Sequence, residues 1–445
     1  MDLENDKIPK LIGQIAIPAI VGLFFSSMFN VVDTYWGGVY STTALAALSL
    51  SFPVFFLIIA FGSGLSTGAA SLISNSLGAK KPAEAGDFAA QAISFGAIAS
   101  IVITIVGLLI SPYLFTLLGA RGEYLNIALQ FMYMTFYASV FYIALFVFSA
   151  ILNSLGNTKT YRNFLILGFF LNIILDPLFM FGFHMGVAGV AFSTNVVQFI
   201  GCLYLGWKIM QTDFAKHMHW KNFIPRKYEF TEINRQGFPA SLNMVTIGLG
   251  VFIITFFISQ FGKNAVAAYG IATRVEQIFL LPVLGITIAT LVLTGYFNGA
   301  KNFQKIREVL QKTIRYSLYI NTIAAIIIFS FSKQFMMIFT NDVNIISIGA
   351  NYLKIAAFIT WAYSLLFVNV SALQGLKRPM YAIWIGLFRQ IVAPVIVFYI
   401  LVNIFNLGIY GVWIGVFLIV WLSALITIFY TKYVIKNIDI KSFWR

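Results

Sequence analysis

The chain has 445 residues, 60% of them hydrophobic and only 10% charged, where an ordinary soluble protein has about a quarter charged. Apolar stretches of about twenty residues or more recur from one end to the other, which excludes a soluble enzyme or binding domain and describes a polytopic helical membrane protein. The net charge of +14 is then an orientation signal rather than a nucleic-acid surface, provided the basic residues fall on one side.

The N-terminus, Met1-Asp2-Leu3-Glu4-Asn5-Asp6, is acidic where a secretory leader would be basic, so no cleaved leader is expected. Twelve spans follow. The first half gives 11–38, 45–76, 88–112, 125–152, 161–183 and 187–210; the second gives 233–261, 266–296, 309–331, 345–373, 380–404 and 409–434. With this alternation, 23 of the 29 basic residues lie on the side of both termini, from Lys7 and Lys10 to Lys441 and Arg445. Only Arg121, Lys263 and Lys333 lie on the other side, while Arg274, Lys354 and Arg389 fall within spans. That asymmetry predicts cytoplasmic termini in the cell's inner (plasma) membrane. Anionic lipid is the natural partner of such a basic face, and no nucleic acid is expected.

The halves repeat. At a shift of 221, Pro18-Ala19 falls on Pro239-Ala240, Ala44, Ala46 and Ala47 on Ala265, Ala267 and Ala268, and Gly78-Ala79-Lys80 on Gly299-Ala300-Lys301. At 222, Gly186, Gly189 and Val190 meet Gly408, Gly411 and Val412. Six spans per repeat is an even number, so the repeats are parallel, a pattern of secondary transporters. The division expected is an N-lobe over 1–210, a cytoplasmic linker over 211–231 that carries His217 and His219, and a C-lobe over 232–445. Cys202 is the single cysteine, which excludes an intramolecular disulfide and a cysteine metal cage.

Only three acidic residues lie within spans: Asp33, Asp176 and Glu276. A carboxylate in hydrocarbon costs roughly 2.5–3.5 kcal/mol on insertion scales and needs a partner or a use. Asp33, Asp176 and Thr194 fall at matched depth, about 8–12 Å from one membrane surface at 1.5 Å per residue. Asn30 and Asp33 are i,i+3; Asn172 and Asp176, like Thr194 and Gln198, are i,i+4. Pro177 follows Asp176 and leaves a carbonyl without its helical donor. Oxygen groups in this number suit a hard cation such as sodium, and two close carboxylates can instead share a proton. The bland alternative is hydrogen bonding that only holds the bundle together. Supporting polar groups are Asn30, Asn195 and Gln198. In the second half, Glu276, Arg274 and Asn243 are candidates for a substrate path, with a structural salt bridge through Arg389 or Lys354 as the alternative for Glu276.

Asp33, the Asn172-x-x-x-Asp176-Pro177 helix, Gly186-Val187-x-Gly189 leading to Thr194, and the turns Gly78-Ala79-Lys80 and Gly119-Ala120-Arg121 together resemble the MATE (multidrug and toxic compound extrusion) transporters. The resemblance covers essentially the whole chain and is closer to the bacterial DinF-like and archaeal branch than to NorM. It implies an all-α membrane protein of twelve helices in two six-helix repeats around a central cavity, alternating access, and export driven by inward movement of Na+ or H+. It also implies a cation site at Asp33, Asn172, Asp176 and Thr194, with Val190 in place of a small residue. The acidic residues that the NorM branch carries in spans seven and ten are absent, Asn243, Lys354 and Asn369 being what those spans offer. The expectation is a monomeric exporter of amphipathic, cationic small molecules with no cofactor beyond the coupling ion. A flippase for a lipid-linked saccharide or another amphipathic lipid is the alternative. With three histidines and no paired nucleophile in a span, an enzyme is not expected.

Overall fold

Within hydrocarbon every backbone N–H and C=O needs a partner from its own segment, so an apolar chain can cross only as helix or closed barrel. The computed structural model describes residues 2–443, with side chains through Ile438. Arg445 and the side chain of Lys441, both assigned above to the basic side, lie outside the described residues. The helices are α1 (Ile8–Tyr40), α2 (Thr42–Gly78), α3 (Pro82–Leu117), α4 (Gly122–Tyr137), α5 (Ser139–Ser154), α6 (Thr158–Pro177) and α7 (Val187–Met210). After the linker come α8 (Lys227–Ser259), α9 (Lys263–Gly299), α10 (Phe303–Ser330), α11 (Ser332–Met337) and α12 (Val343–Gly375). The chain closes with α13 (Met380–Leu387), α14 (Ala393–Tyr399) and α15 (Gly408–Phe443).

Among the described residues, eleven helical segments are long and apolar enough to cross a membrane, and a twelfth crossing is the pair α4–α5, bent by 49° at Ala138. The span expected over 125–152 is therefore broken. Hydroxyls that bridge to α3 account for the break: Thr104 of α3 donates to the Phe136 carbonyl (2.7 Å), and Ser139 of α5 donates to the Ser100 carbonyl of α3 (3.1 Å). Side chains that enter the ladder in this way are a standard cause of kinks.

The repeat reaches down to single hydrogen bonds. Lys80 and Lys301 both take positive φ, and the turns close through Lys81 N to Ser76 O and Asn302 N to Phe297 O, each 2.9 Å. Gly156 and Lys377 do the same, closing through Asn157 N to Leu152 O and Arg378 N to Leu373 O, each 2.8 Å. Two π-helical turns, Leu178–Gly182 and Ile400–Ile404, also occupy corresponding places in the two halves.

The chain forms two compact units, Val21–Ser241 and Met1–Ile20 with Leu242–Arg445. Their limits differ from a division at the linker because short helical ends change partners. Ile8, Leu11, Ile12 and Ile15 join Ile286, Val292, Leu293 and Phe297 in one buried cluster. In the other unit, Gly68 lets α2 approach the start of α8 so closely that a Cβ there would lie 2.7 Å from Gly237 N. The linker is tied to α3: Gln91 donates to the Ile224 carbonyl (2.6 Å) and accepts from Arg226 N (3.0 Å), and Ser94 donates to Phe223 (2.7 Å).

Candidate functional site

The site lies in the unit Val21–Ser241, where α1, α6 and α7 meet. α6 ends at Asp176 and Pro177, and because proline has no N–H the chain leaves the α ladder there. It widens into the π turn, closed by Phe183 N to Leu178 O (2.9 Å), and reverses through His184 and Gly186, both at positive φ. α7 then returns against the turn. Gly189 makes this possible, since a Cβ at that position would lie 2.7 Å from Met180 N. The reversal sets Ser193 and Thr194 opposite Asn172 and Asp176.

Asn172 and Asp176 are fully buried, Thr194 is 8% exposed, and Asp33 is half-buried. The Asn172 amide nitrogen donates to Asp33 Oδ1 (2.6 Å) and to Asp176 Oδ2 (3.3 Å). Two acceptors that share one donor nitrogen lie within two hydrogen-bond lengths of each other. Carboxylates far apart in the chain, on α1 and α6, therefore form one cluster. The remaining Asn172 oxygen faces Thr194, whose hydroxyl lies 3.5 Å away. Ser193 Oγ completes the set, in contact with Asp176 Oδ1 and with the Val190 carbonyl (2.9 Å).

The structure thus brings Asp33, Asn172, Asp176 and Thr194 together. None of the three supporting candidates hydrogen-bonds to this set among the described residues. Asn30 is exposed, and its carbonyl accepts from Thr34. Asn195 donates to the Met134 carbonyl (2.8 Å) and accepts from Tyr142 (3.5 Å). Gln198 is half-buried, one turn beyond Thr194. Ser193 was not anticipated. Its adjacency to Thr194 was the available signal, because neighbours on a helix lie about 100° apart and can flank one acceptor.

The cluster offers carboxylate, amide and hydroxyl oxygens. No group of three or more His, Cys, Asp or Glu able to hold a metal occurs among the described residues. An all-oxygen set with two negative charges fits a hard cation, whereas nitrogen and sulfur ligands would suit transition metals. In the arrangement seen, both N–H bonds of Asn172 face the carboxylates. A cation bound between them meets an oxygen instead if that amide turns over.

The second repeat carries its buried carboxylate elsewhere. Glu276 on α9 is 5% exposed; Tyr352 donates to its Oε2 (3.0 Å), and its Oε1 has no hydrogen-bond partner. Arg389 is also buried, in a π-helical turn (Phe388–Val392), and its guanidinium lies over the rings of Tyr363 and Phe367 at 5.8 and 5.7 Å. Arg274 is on the exposed face of α9, and Asn243 packs against Gly386 of α13. Of the path candidates, Arg274 and Asn243 therefore do not join Glu276 in one cluster.

An all-helical membrane chain of two parallel six-span repeats, one of them holding a buried carboxylate pair, has the build of a membrane transporter. The sequence profile of the MatE family matches it twice, over residues 18–178 and 239–400, and the chain belongs to that family. The two matches keep the register of the repeat, one starting at Pro18 and the other at Pro239. Similar proteins include the "Probable multidrug resistance protein YoeA" of Bacillus subtilis, 27% identical over 85% of this chain and 83% of that one. Another is the "Multidrug export protein MepA" of Staphylococcus aureus, 26% identical over 79% of this chain and 78% of that one. Among solved structures, one of a MATE protein in the bent conformation superposes with a TM-score of 0.93 at 25% identity, covering 99% of this chain and 98% of that one. An outward-facing multidrug resistance MATE family transporter gives 0.92 at 26% identity, with 98% of both chains covered.

Proposed function

We propose that this protein is a multidrug exporter that couples the outward movement of amphipathic, cationic organic compounds to the inward movement of Na+ or H+ by alternating access. The observation that carries the reading is the pair of carboxylates, Asp33 and Asp176, held on the single amide of Asn172 inside an apolar repeat. Fixed negative charge at such depth is expensive, and a mobile cation is the counter-charge that makes it useful. The names of the bacterial relatives support export of drugs as the activity.

In this mechanism the ion enters between Asp33 and Asp176, with Thr194, Ser193 and the oxygen of Asn172 as further ligands. Neutralising the pair releases the Asn172 hydrogen bonds and reseats the half-buried segment of α1 that carries Asp33. Coupling requires that ion and substrate prefer different states, since an ion with equal affinity for both shifts nothing. The chain acts as a monomer in the bacterial plasma membrane with both termini cytoplasmic. The site belongs to the DinF-like type, with the ion held in the first repeat.

Cells that express Asp33→Asn or Asp176→Asn at normal levels should lose drug resistance and efflux of a fluorescent organic cation. Full resistance in both variants would end the mechanism.

A further inference from the structure

Within the unit Met1–Ile20 with Leu242–Arg445, a hollow of about 510 Å³ opens between α10, α12 and α15. Its walls are aromatic: Phe329, Phe358, Trp361, Phe417 and Trp421 line it together with Lys354. Both indole N–H groups are taken, Trp361 donating to Thr322 Oγ1 (3.1 Å) and Trp421 to the Phe358 carbonyl (3.2 Å). That leaves the ammonium of Lys354 as the one ionised group in the trough. It is half-buried and has no carboxylate partner among the described residues. Phe329 and Phe358 are 46% and 45% exposed, a surface that suits acyl chains and not water.

Depth assigns the polar end. Lys354 lies eleven residues into α12, about 16 Å from its start, and a 33-residue helix centred on a hydrocarbon core of about 30 Å overhangs each side by about 10 Å. The Lys354 backbone is then a few ångströms inside the apolar slab, and its side chain can snorkel to the headgroup layer. The aromatic positions Phe358 and Trp361 continue one and two turns deeper along the same helix.

We propose that this hollow is the seat of one anionic phospholipid, its headgroup phosphate accepting from Lys354 and an acyl chain lying along the aromatic trough. A positive end above an apolar trough complements an anionic amphiphile, and it repels organic cations of the kind that an exporter coupled through the Asp33–Asp176 pair would carry. The site shares no residue with that pair, so the lipid proposal stands or falls independently of it.

Native mass spectrometry on protein released from membranes of equal phosphatidylglycerol and phosphatidylcholine content tests the assignment. Wild type should retain phosphatidylglycerol in preference. Lys354→Gln should lower that preference about fivefold, the effect of one basic residue against an anionic headgroup, and Lys354→Arg should restore it. Equal retention of the two lipids by wild type, or unchanged preference in Lys354→Gln, would overturn the proposal. A second test needs no variant. Phosphatidylglycerol with brominated acyl chains should quench tryptophan fluorescence of the wild-type protein more strongly than brominated phosphatidylcholine at the same mole fraction. Charge-independent quenching counts against the site.

Discussion

Ser193 is the side chain whose contribution to the carboxylate cluster can be isolated most cleanly. It touches Asp176 without carrying charge, so Ser193→Ala removes one oxygen and leaves both carboxylates and the Asn172 amide in place. A hydrogen-bonding or ligating group on a charged partner contributes roughly 1.5 kcal/mol. The concentration of driving ion that half-saturates transport should therefore rise about tenfold in this variant; an unchanged value would remove Ser193 from the site. Glu276 makes the opposite case. Its Oε1 is buried without a hydrogen-bond partner and its Oε2 depends on Tyr352, so Glu276→Gln keeps the shape and gives up only the charge. Gradient-driven efflux should persist in Glu276→Gln while it is lost in Asp33→Asn, because the pair proposed to bind the ion is in the first repeat. Loss of efflux in Glu276→Gln would show that coupling uses both repeats. At this scale, depth along a helix was legible and rotation about its axis was not. Asp33, Asp176 and Thr194 could be matched by counting residues inward from the membrane surface, because the rise of a helix is fixed. Nothing in the spacing of Asn30 from Asp33, or of Arg274 from Glu276, tells that the first of each pair is exposed.

Among the elements, the reversal between α6 and α7 positions the site, and its tolerance is set by Gly189. Gly189→Ala would drive a methyl group into the Met180 backbone, and overpacking of this kind costs about 1–3 kcal/mol. Gly206 on the same helix meets only the Phe148 ring, at 3.7 Å, an ordinary contact. The purified protein should lose thermal stability and efflux with Gly189→Ala, and neither with Gly206→Ala; equal behaviour of the two would mean that α7 does not rest on the turn. The existence of these helices was plain from hydropathy, and Pro177 marked where one of them breaks. The π turns and the bend at Ala138 were not visible. Periodicity within a segment cannot report a hydroxyl such as Thr104 that arrives from a different helix. Likewise, the helical ends that change unit read as ordinary parts of continuous apolar runs, since only the long-range packing of Ile8, Leu11 and Gly68 separates them.

Over the whole molecule, the twofold pattern was the most legible feature. The register that sets Pro18 on Pro239 reappears in paired turn hydrogen bonds and in two separate matches to the MatE profile. What the pattern leaves open is the use to which each copy is put, because the buried carboxylates differ between the copies. Asp33 has Ile254 as its counterpart at a shift of 221. Orientation is testable directly. In a protein with Cys202 replaced by alanine, single cysteines at Lys216 and Lys377 should react with an impermeant thiol reagent only after the cell is opened, and cysteines at Arg121 and Lys333 in intact cells. The reverse pattern would invert the direction of transport assigned here. The claim on which the account rests is that Asp33 and Asp176 hold the driving ion. Purified protein in liposomes, loaded with a fluorescent organic cation and given sodium and pH gradients one at a time, measures this most directly. Wild type should move the compound under at least one gradient, and Asp33→Asn and Asp176→Asn under neither; variants that respond to the same gradient as wild type at the same rate would contradict it.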